Sequence, residues 1–189
     1  MSSYLSANEV ENLGLKFVGK NVSISRLATF YGVDKISVGS HSRIDDFCVL
    51  SASKSEIIIG EYVHIAVFCC LTGRELIQLE DFSGLSSRVS IYSTNDDYSG
   101  EFLTNPCIPI EFSAVKSSPV IIKKHVVIGT NSTILPGVTI GGGAAIGAYS
   151  LVISDIEEST IAFGIPAKSV KKRKQNIYNL EKTLRERYG

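Results

Sequence analysis

Along most of this chain an aliphatic residue returns at every sixth position. It falls at Ile122, Ile128, Ile134, Ile140, Ile146 and Val152, and a small or β-branched residue stands four positions after each of the first five: Val126, Ser132, Val138, Ala144 and Ser150. Glycine follows the aliphatic residue at Gly129, Gly141 and Gly147. A helix keeps one face apolar only with a period near 3.6, so this pattern predicts very short strands joined by tight turns. The same period runs upstream through Val38, Ile44 and Leu50, then Ile59, Ile65 and Leu71, then Leu79, Leu85 and Ile91. Cys48 and Cys69 occupy the small-residue position there, which accounts for both. Hexapeptide repeats of this kind predict a parallel β-helix whose stacked coils bury one continuous core. The ends depart from it. "SANE" at Ser6 to Glu9 has the spacing of a capping box and predicts a short helix ending near Gly14. Near the carboxy terminus Ile177, Leu180 and Leu184 share one helical face.

The repeat resembles that of the left-handed β-helix acyltransferases over about residues 20 to 170. In that family three hexapeptides form one triangular coil, which assigns the faces. Val38, Ile59, Leu79, Ile122 and Ile140 then stack on the first face; Ile44, Ile65, Leu85, Ile128 and Ile146 on the second; Leu50, Leu71, Ile91, Ile134 and Val152 on the third. The fold implied is an all-β solenoid, a left-handed parallel β-helix with a short amino-terminal helix, a long excursion loop and a carboxy-terminal helix. Its segments are a helical cap over 1–20, the β-helix over 21–170 with an insertion at about 93–119, and the final helix over 171–189. The steps Leu50 to Ile59, Leu71 to Leu79 and Ile91 to Ile122 break the period, and all three fall at the corner between the third and first faces. Insertions gathered on one edge of a solenoid mark its working edge.

Composition narrows the classes. The chain has 189 residues, 44% hydrophobic, with zero formal net charge, which excludes both a disordered chain and a polycation that coats nucleic acid. No apolar run approaches the roughly 18 residues that cross a bilayer, and "MSSYLSANEVENLG" lacks the basic flank and apolar core of a signal peptide. The four cysteines form no CxxC motif. The expectation is a cytoplasmic protein with neither a nucleic-acid nor a membrane partner. The basic run Lys168, Lys171, Lys172, Arg173 and Lys174 has no interleaved aromatic residues; it is either a solvated face or a seat for phosphate. His41, His64 and His125 lie far apart in sequence and on different parts of the coil, so no zinc triad, and no metal, is expected.

Acyl transfer from a thioester needs a nucleophile held near the carbonyl, a base for its proton and a donor for the oxyanion. His41 and His125 sit mid-turn in regular coils and read as structural. His64, in "EYVHIAVFCC", is expected at the corner between the first two faces, with Arg43 of "SRIDDFCVLS" one coil below it. Asp45 and Asp46 of that stretch form either a salt-bridged patch or a polar wall of the site. In galactoside and maltose acetyltransferases, which the chain resembles, a catalytic histidine comes five residues after the last aliphatic of such a coil. Asp96 holds that place here. Either the carboxylate replaces the imidazole as base, or it binds the acceptor. A carboxylate suits an amine, whose ammonium form it can hold, and it is a weak base unless desolvated. The reading adopted has His64 as base, reaching across a subunit boundary. Asp96 and Asp97 grip the acceptor, with Asp45, Asp46, Asn95 and Tyr98 around them.

"YVHIAVF", "LTG" and "IYSTNDDYSGEFLTNP" resemble, more narrowly, nucleotide-sugar acyltransferases acting on dTDP-4-amino-4,6-dideoxyglucose. That resemblance implies transfer from acetyl-CoA, as co-substrate, to the amino group of a nucleotide-linked sugar used in O-antigen or capsule assembly. It also implies a homotrimer with active sites between subunits and CoA lying in the groove between neighbouring β-helices. Thr130, Gly147, Ala148 and Ser150 would then flank the pantetheine. In "GIPAKSVKKR" Lys168 and Lys171 would approach the nucleotide phosphates. The alternatives are O-acetylation of a sugar hydroxyl or a galactoside and, from another class, a non-enzymatic binding solenoid.

Overall fold

The computed structural model describes residues 3–188. They form a parallel β-solenoid of three sheets, of six, eight and six strands, built by stacking the corresponding strand of successive coils, with one antiparallel strand closing the second sheet. The register is the one that the six-residue period implies. Val38, Ile59, Leu79, Ile122 and Ile140 follow one another up the first sheet. Ile44, Ile65, Leu85, Ile128 and Ile146 do so on the second, and Leu50, Leu71, Ile91, Ile134 and Val152 on the third. Every one of these side chains is at most 3% exposed, so the three columns meet in one core. Cys48, Cys69, Ser132, Ala144 and Ser150 are buried in the small-residue position.

The turns explain two of the histidines. His41, Tyr62, Phe82 and His125 each take a left-handed backbone conformation at the corner between the first and second faces. That conformation is unfavourable for a side chain with a Cβ. Coil spacing offsets it by bringing flat rings to stacking distance. Ring centroids lie 4.6 Å apart for His41 and Tyr62, 4.8 Å for Tyr62 and Phe82, and 5.1 Å for Phe82 and His125.

The amino-terminal helix, Ala7–Glu11, carries the reciprocal capping box between Ser6 and Glu9. Both boundaries drawn around the solenoid move. Phe17–Val18 already pairs with Ser37–Val38, so the first coil begins inside the segment assigned to the cap. Phe17 is 57% exposed because it stands in the outward column with Ser37, while Val18 takes the inward place below Val38 and is half-buried. At the other end Ala167–Lys172 folds back antiparallel on Thr160–Gly164, and the final helix spans Asn176–Tyr188. All three period-breaking steps lie at the corner between the third and first faces. The longest opens with a two-stranded antiparallel ribbon, Thr94–Asn95 against Lys116–Ser117.

Candidate active site

Two clefts flank the excursion, and Asp96 lines both. The larger, about 650 Å³, also holds Thr72, Arg74, Tyr92 and Asn105. The smaller, about 420 Å³, is walled by Tyr92, Asn95, Tyr98 and Leu135. The insertion one coil below props the ribbon. The Arg74 N–H donates to Thr94 Oγ1 at 2.7 Å, and Ser93 Oγ both donates to the Glu75 carbonyl and accepts from the Glu75 N–H. Stacking of the insertions thus fixes where the two adjacent carboxylates go. Asp97 turns into its own loop, accepting from Ser99 Oγ at 2.8 Å and from the Gly100 N–H at 3.2 Å. The Ser99 hydroxyl is the chief cause holding its carboxyl below the usual range. Asp97 therefore shapes the loop and, unlike Asp96, lines neither cleft. Asp96, half-buried, has no hydrogen bond or ion pair within the chain among the described residues.

A second polar surface lies on the second face, where Arg43, His64, Gly84 and Val127 form an outward column. His64 is the first residue of its strand on this face, a shift from the corner expected of it. Its Nε2 lies 2.8 Å from Asp45 Oδ2, while Arg43 Nε and Tyr4 Oη donate to Asp45 Oδ1 at 2.6 and 2.9 Å. Burial alone would raise the Asp45 carboxyl, but the Arg43, His64 and Tyr4 donors outweigh it and hold the group below its ordinary value. Asp45 is 6% exposed, and with Tyr4 and Arg43 on one oxygen and His64 on the other it orients His64. Asp46 is half-buried and accepts from Ser25 Oγ. The His64 side chain remains 51% exposed and faces a cleft of about 310 Å³ with Gly84, Ser86 and Ser87.

The residues assigned to CoA divide in the same way. Ala148, Lys168 and Lys171 are exposed. Ser150 is 3% exposed and donates to the Gly147 carbonyl, so it packs inside the coil, a correction to its place in the set. A Cβ on Gly147 would lie 2.7 Å from the Phe163 Cβ; this glycine makes room for the strand above it and offers no bare ledge. Thr130 Oγ1 donates to the Ser87 carbonyl at 2.6 Å, tying the coil of the second cleft to the one above. His64 and Asp96 do not meet within one chain, because the second face of a triangular coil lies opposite the corner between the third and first. Arg74 and Ser86 were not singled out from the sequence. The broken period between Leu71 and Leu79 already places Arg74 at the working corner, whereas Ser86 looks like any coil serine.

The chain is 45% identical over 183 residues to a dTDP-4-amino-4,6-dideoxy-D-glucose acyltransferase of Escherichia coli, an alignment covering 97% of this chain and 95% of the relative. The chain belongs to the hexapeptide-repeat acyltransferases. No protein-family model matches it. Among solved structures, AntD, an N-acyltransferase from Bacillus cereus, superimposes with a TM-score of 0.94 at 42% identity, over 98% of each chain, in complex with dTDP-4-amino-4,6-dideoxyglucose and coenzyme A. AntD has also been solved with dTDP and 3-hydroxybutyryl-CoA. Its variants include substitutions at a serine and at an aspartate ten residues further along. Another hexapeptide-repeat acyltransferase relative, a putative lipopolysaccharide biosynthesis O-acetyl transferase of Escherichia coli K12, is 36% identical over 135 residues, covering 68% of this chain and 61% of its own.

Proposed function

We propose that this protein transfers the acyl group of an acyl-CoA, acetyl in the first instance, to the amino group of dTDP-4-amino-4,6-dideoxyglucose. The observation that carries the reading is Asp96, an unpaired carboxylate held by the excursion at the mouth of two clefts. A carboxylate there binds the sugar ammonium through a charge-assisted hydrogen bond and first takes the proton that the nitrogen must lose before it can attack the thioester carbon. The C–N bond forms first and leaves a tetrahedral oxyanion; its collapse breaks the C–S bond, and the thiolate takes up a proton released by the nitrogen and leaves as CoA thiol. A sugar hydroxyl would gain less from a carboxylate, which favours the amine as acceptor.

The active site is assembled between subunits of a homotrimer. His64, oriented by Asp45, and the Ser86 hydroxyl belong to the second face of one subunit and meet Asp96 of its neighbour. In this arrangement His64 removes the proton that Asp96 first holds, and Ser86 donates to the oxyanion. Spacing supports the pair, since a serine ten residues before an aspartate occurs in this chain at Ser86 and Asp96 and at Ser87 and Asp97, and Asp97 is bound into its own loop. The groove between subunits takes CoA, with Thr130 and Ala148 along the pantetheine and Lys168 and Lys171 near its phosphates. The test is a panel of dTDP-, UDP- and GDP-amino sugars with acetyl-, butyryl- and 3-hydroxybutyryl-CoA, read by free thiol release and product mass. Turnover is expected on the dTDP-4-amino sugar. Silence on every nucleotide sugar, with turnover on free galactosides, would overturn the assignment.

A further inference from the structure

The larger cleft contains one cation and one anion among its lining residues, Arg74 and Asp96. The Arg74 guanidinium has no ion pair or hydrogen bond within the chain among the described residues, although its residue is half-buried. Its backbone, by contrast, is held on both sides. The N–H donates to Thr94 Oγ1 at 2.7 Å and the carbonyl accepts from the Ser55 N–H at 3.0 Å. The root of the side chain is therefore placed by the coils above and below. The rest of the cleft is largely apolar, with Pro106, Ile108, Ile110 and Val115 supplied by the excursion.

We propose that Arg74 binds the diphosphate of the nucleotide sugar, in the same cleft where Asp96 holds the amine, against an excursion wall that packs on the base. This rests on the acceptor being a nucleotide sugar, whose anionic group is its diphosphate. A planar guanidinium offers paired donors that match two phosphate oxygens, and it stays charged at any working pH. Leaving such a group unpaired and partly desolvated destabilises the free protein, and a bound anion removes that penalty. A single cleft with a cation and an anion at its lining accepts a ligand carrying both charges in one orientation. CoA carries a diphosphate too, so the two sources must be separated.

Calorimetric titration of the full-length protein with dTDP, together with KM values for the nucleotide sugar and for acyl-CoA, separates them. Arg74→Gln is expected to weaken dTDP binding and raise the sugar KM by about 10- to 100-fold, the range for lost hydrogen bonds to a charged group. The KM for acyl-CoA should stay within about twofold. Arg74→Lys, which keeps the charge and loses the fork, should fall between. Unchanged dTDP affinity in Arg74→Gln, or a loss confined to acyl-CoA, would overturn the proposal. If Arg74→Gln fails to fold, a several-fold weakening of dTDP binding in Arg74→Lys supports it and unchanged affinity overturns it. Absence of dTDP binding by the unsubstituted protein would instead sink the reading of the acceptor as a nucleotide sugar.

Discussion

Glu181 is the charged centre of the contact between the carboxy-terminal helix and the solenoid, and Glu181→Gln is the perturbation that measures it. Glu181 accepts from Lys124 and from His125 Nε2, each at 2.7 Å, and from Arg185 Nε at 2.8 Å. Arg185 extends the contact to Glu61 and Asp81, in the coils below. The apolar side of the helix helps less, since Leu180 is 60% exposed and no residue of the helix is fully buried. Burial works against the Glu181 carboxylate, but the Lys124, Arg185 and His125 donors outweigh it and hold it at about 2, against 4.5 ordinarily. At about 1.4 kcal/mol per pH unit, this sets a ceiling of about 3 kcal/mol. Lys124 and Arg185 are 37% and 39% exposed, so solvent screening lowers the contribution to about 1–2 kcal/mol. A folded pKa below the unfolded one means the stabilisation is complete above pH 4.5 and is lost as pH falls toward about 2. Hydrogen exchange of residues 176–188 at pH 7 is the assay. Glu181→Gln is expected to raise exchange there by about 5- to 30-fold while the coils keep their protection. Wild-type protein should show the same local loosening as pH falls from 4.5 to 3. Unchanged protection in the variant would refute the reasoning and leave Ile177, Leu180 and Leu184 as what holds the helix.

The remaining expectations concern the site and the core. His64→Ala and Asp96→Asn should each lower kcat by about 10²- to 10⁴-fold; unfolding and refolding the two variants together should restore part of the activity, because some mixed trimers then carry one intact site. Activity of the mixture no greater than the sum of its parts would exclude a site shared between subunits. Gly84→Val adds a side chain where a Cβ meets nothing within 4 Å, so thermal unfolding should shift little while a filled second-face cleft cuts turnover at least tenfold; normal turnover would remove that cleft from the mechanism. Leu71→Ala deletes a fully buried core side chain and should cost about 2–5 kcal/mol in denaturant unfolding, a smaller loss showing that the coils collapse around the cavity.

What could be read without a structure was whatever the period repeats. Each hexapeptide restates the same alternation of inward and outward side chains. The aliphatic columns and the breaks in the period therefore followed from spacing, and the three-repeat coil of the family that the chain resembles assigned their faces, their register and the edge that gathers the insertions. The same logic failed where partners come from outside the repeat. Asp96 and Asp97 are neighbours of one chemistry, and only Ser99 and Gly100 folding back on Asp97 decide which carboxylate faces the clefts. Asp45 could be a salt-bridged patch or a polar wall until Tyr4, 41 residues away, joined Arg43 and His64 on its two oxygens. Gly147 and Ser150 looked available to a ligand arm until Phe163 and the Gly147 carbonyl occupied them. Arg74 entered the picture because two neighbouring coils fix its backbone and the excursion supplies the rest of its cleft. Period and burial are local properties that every coil restates, so the sequence by itself determined the solenoid and its working corner. Which charged group is satisfied and which is left for a ligand depends on unrepeated contacts between distant segments, and only the tertiary structure decided that.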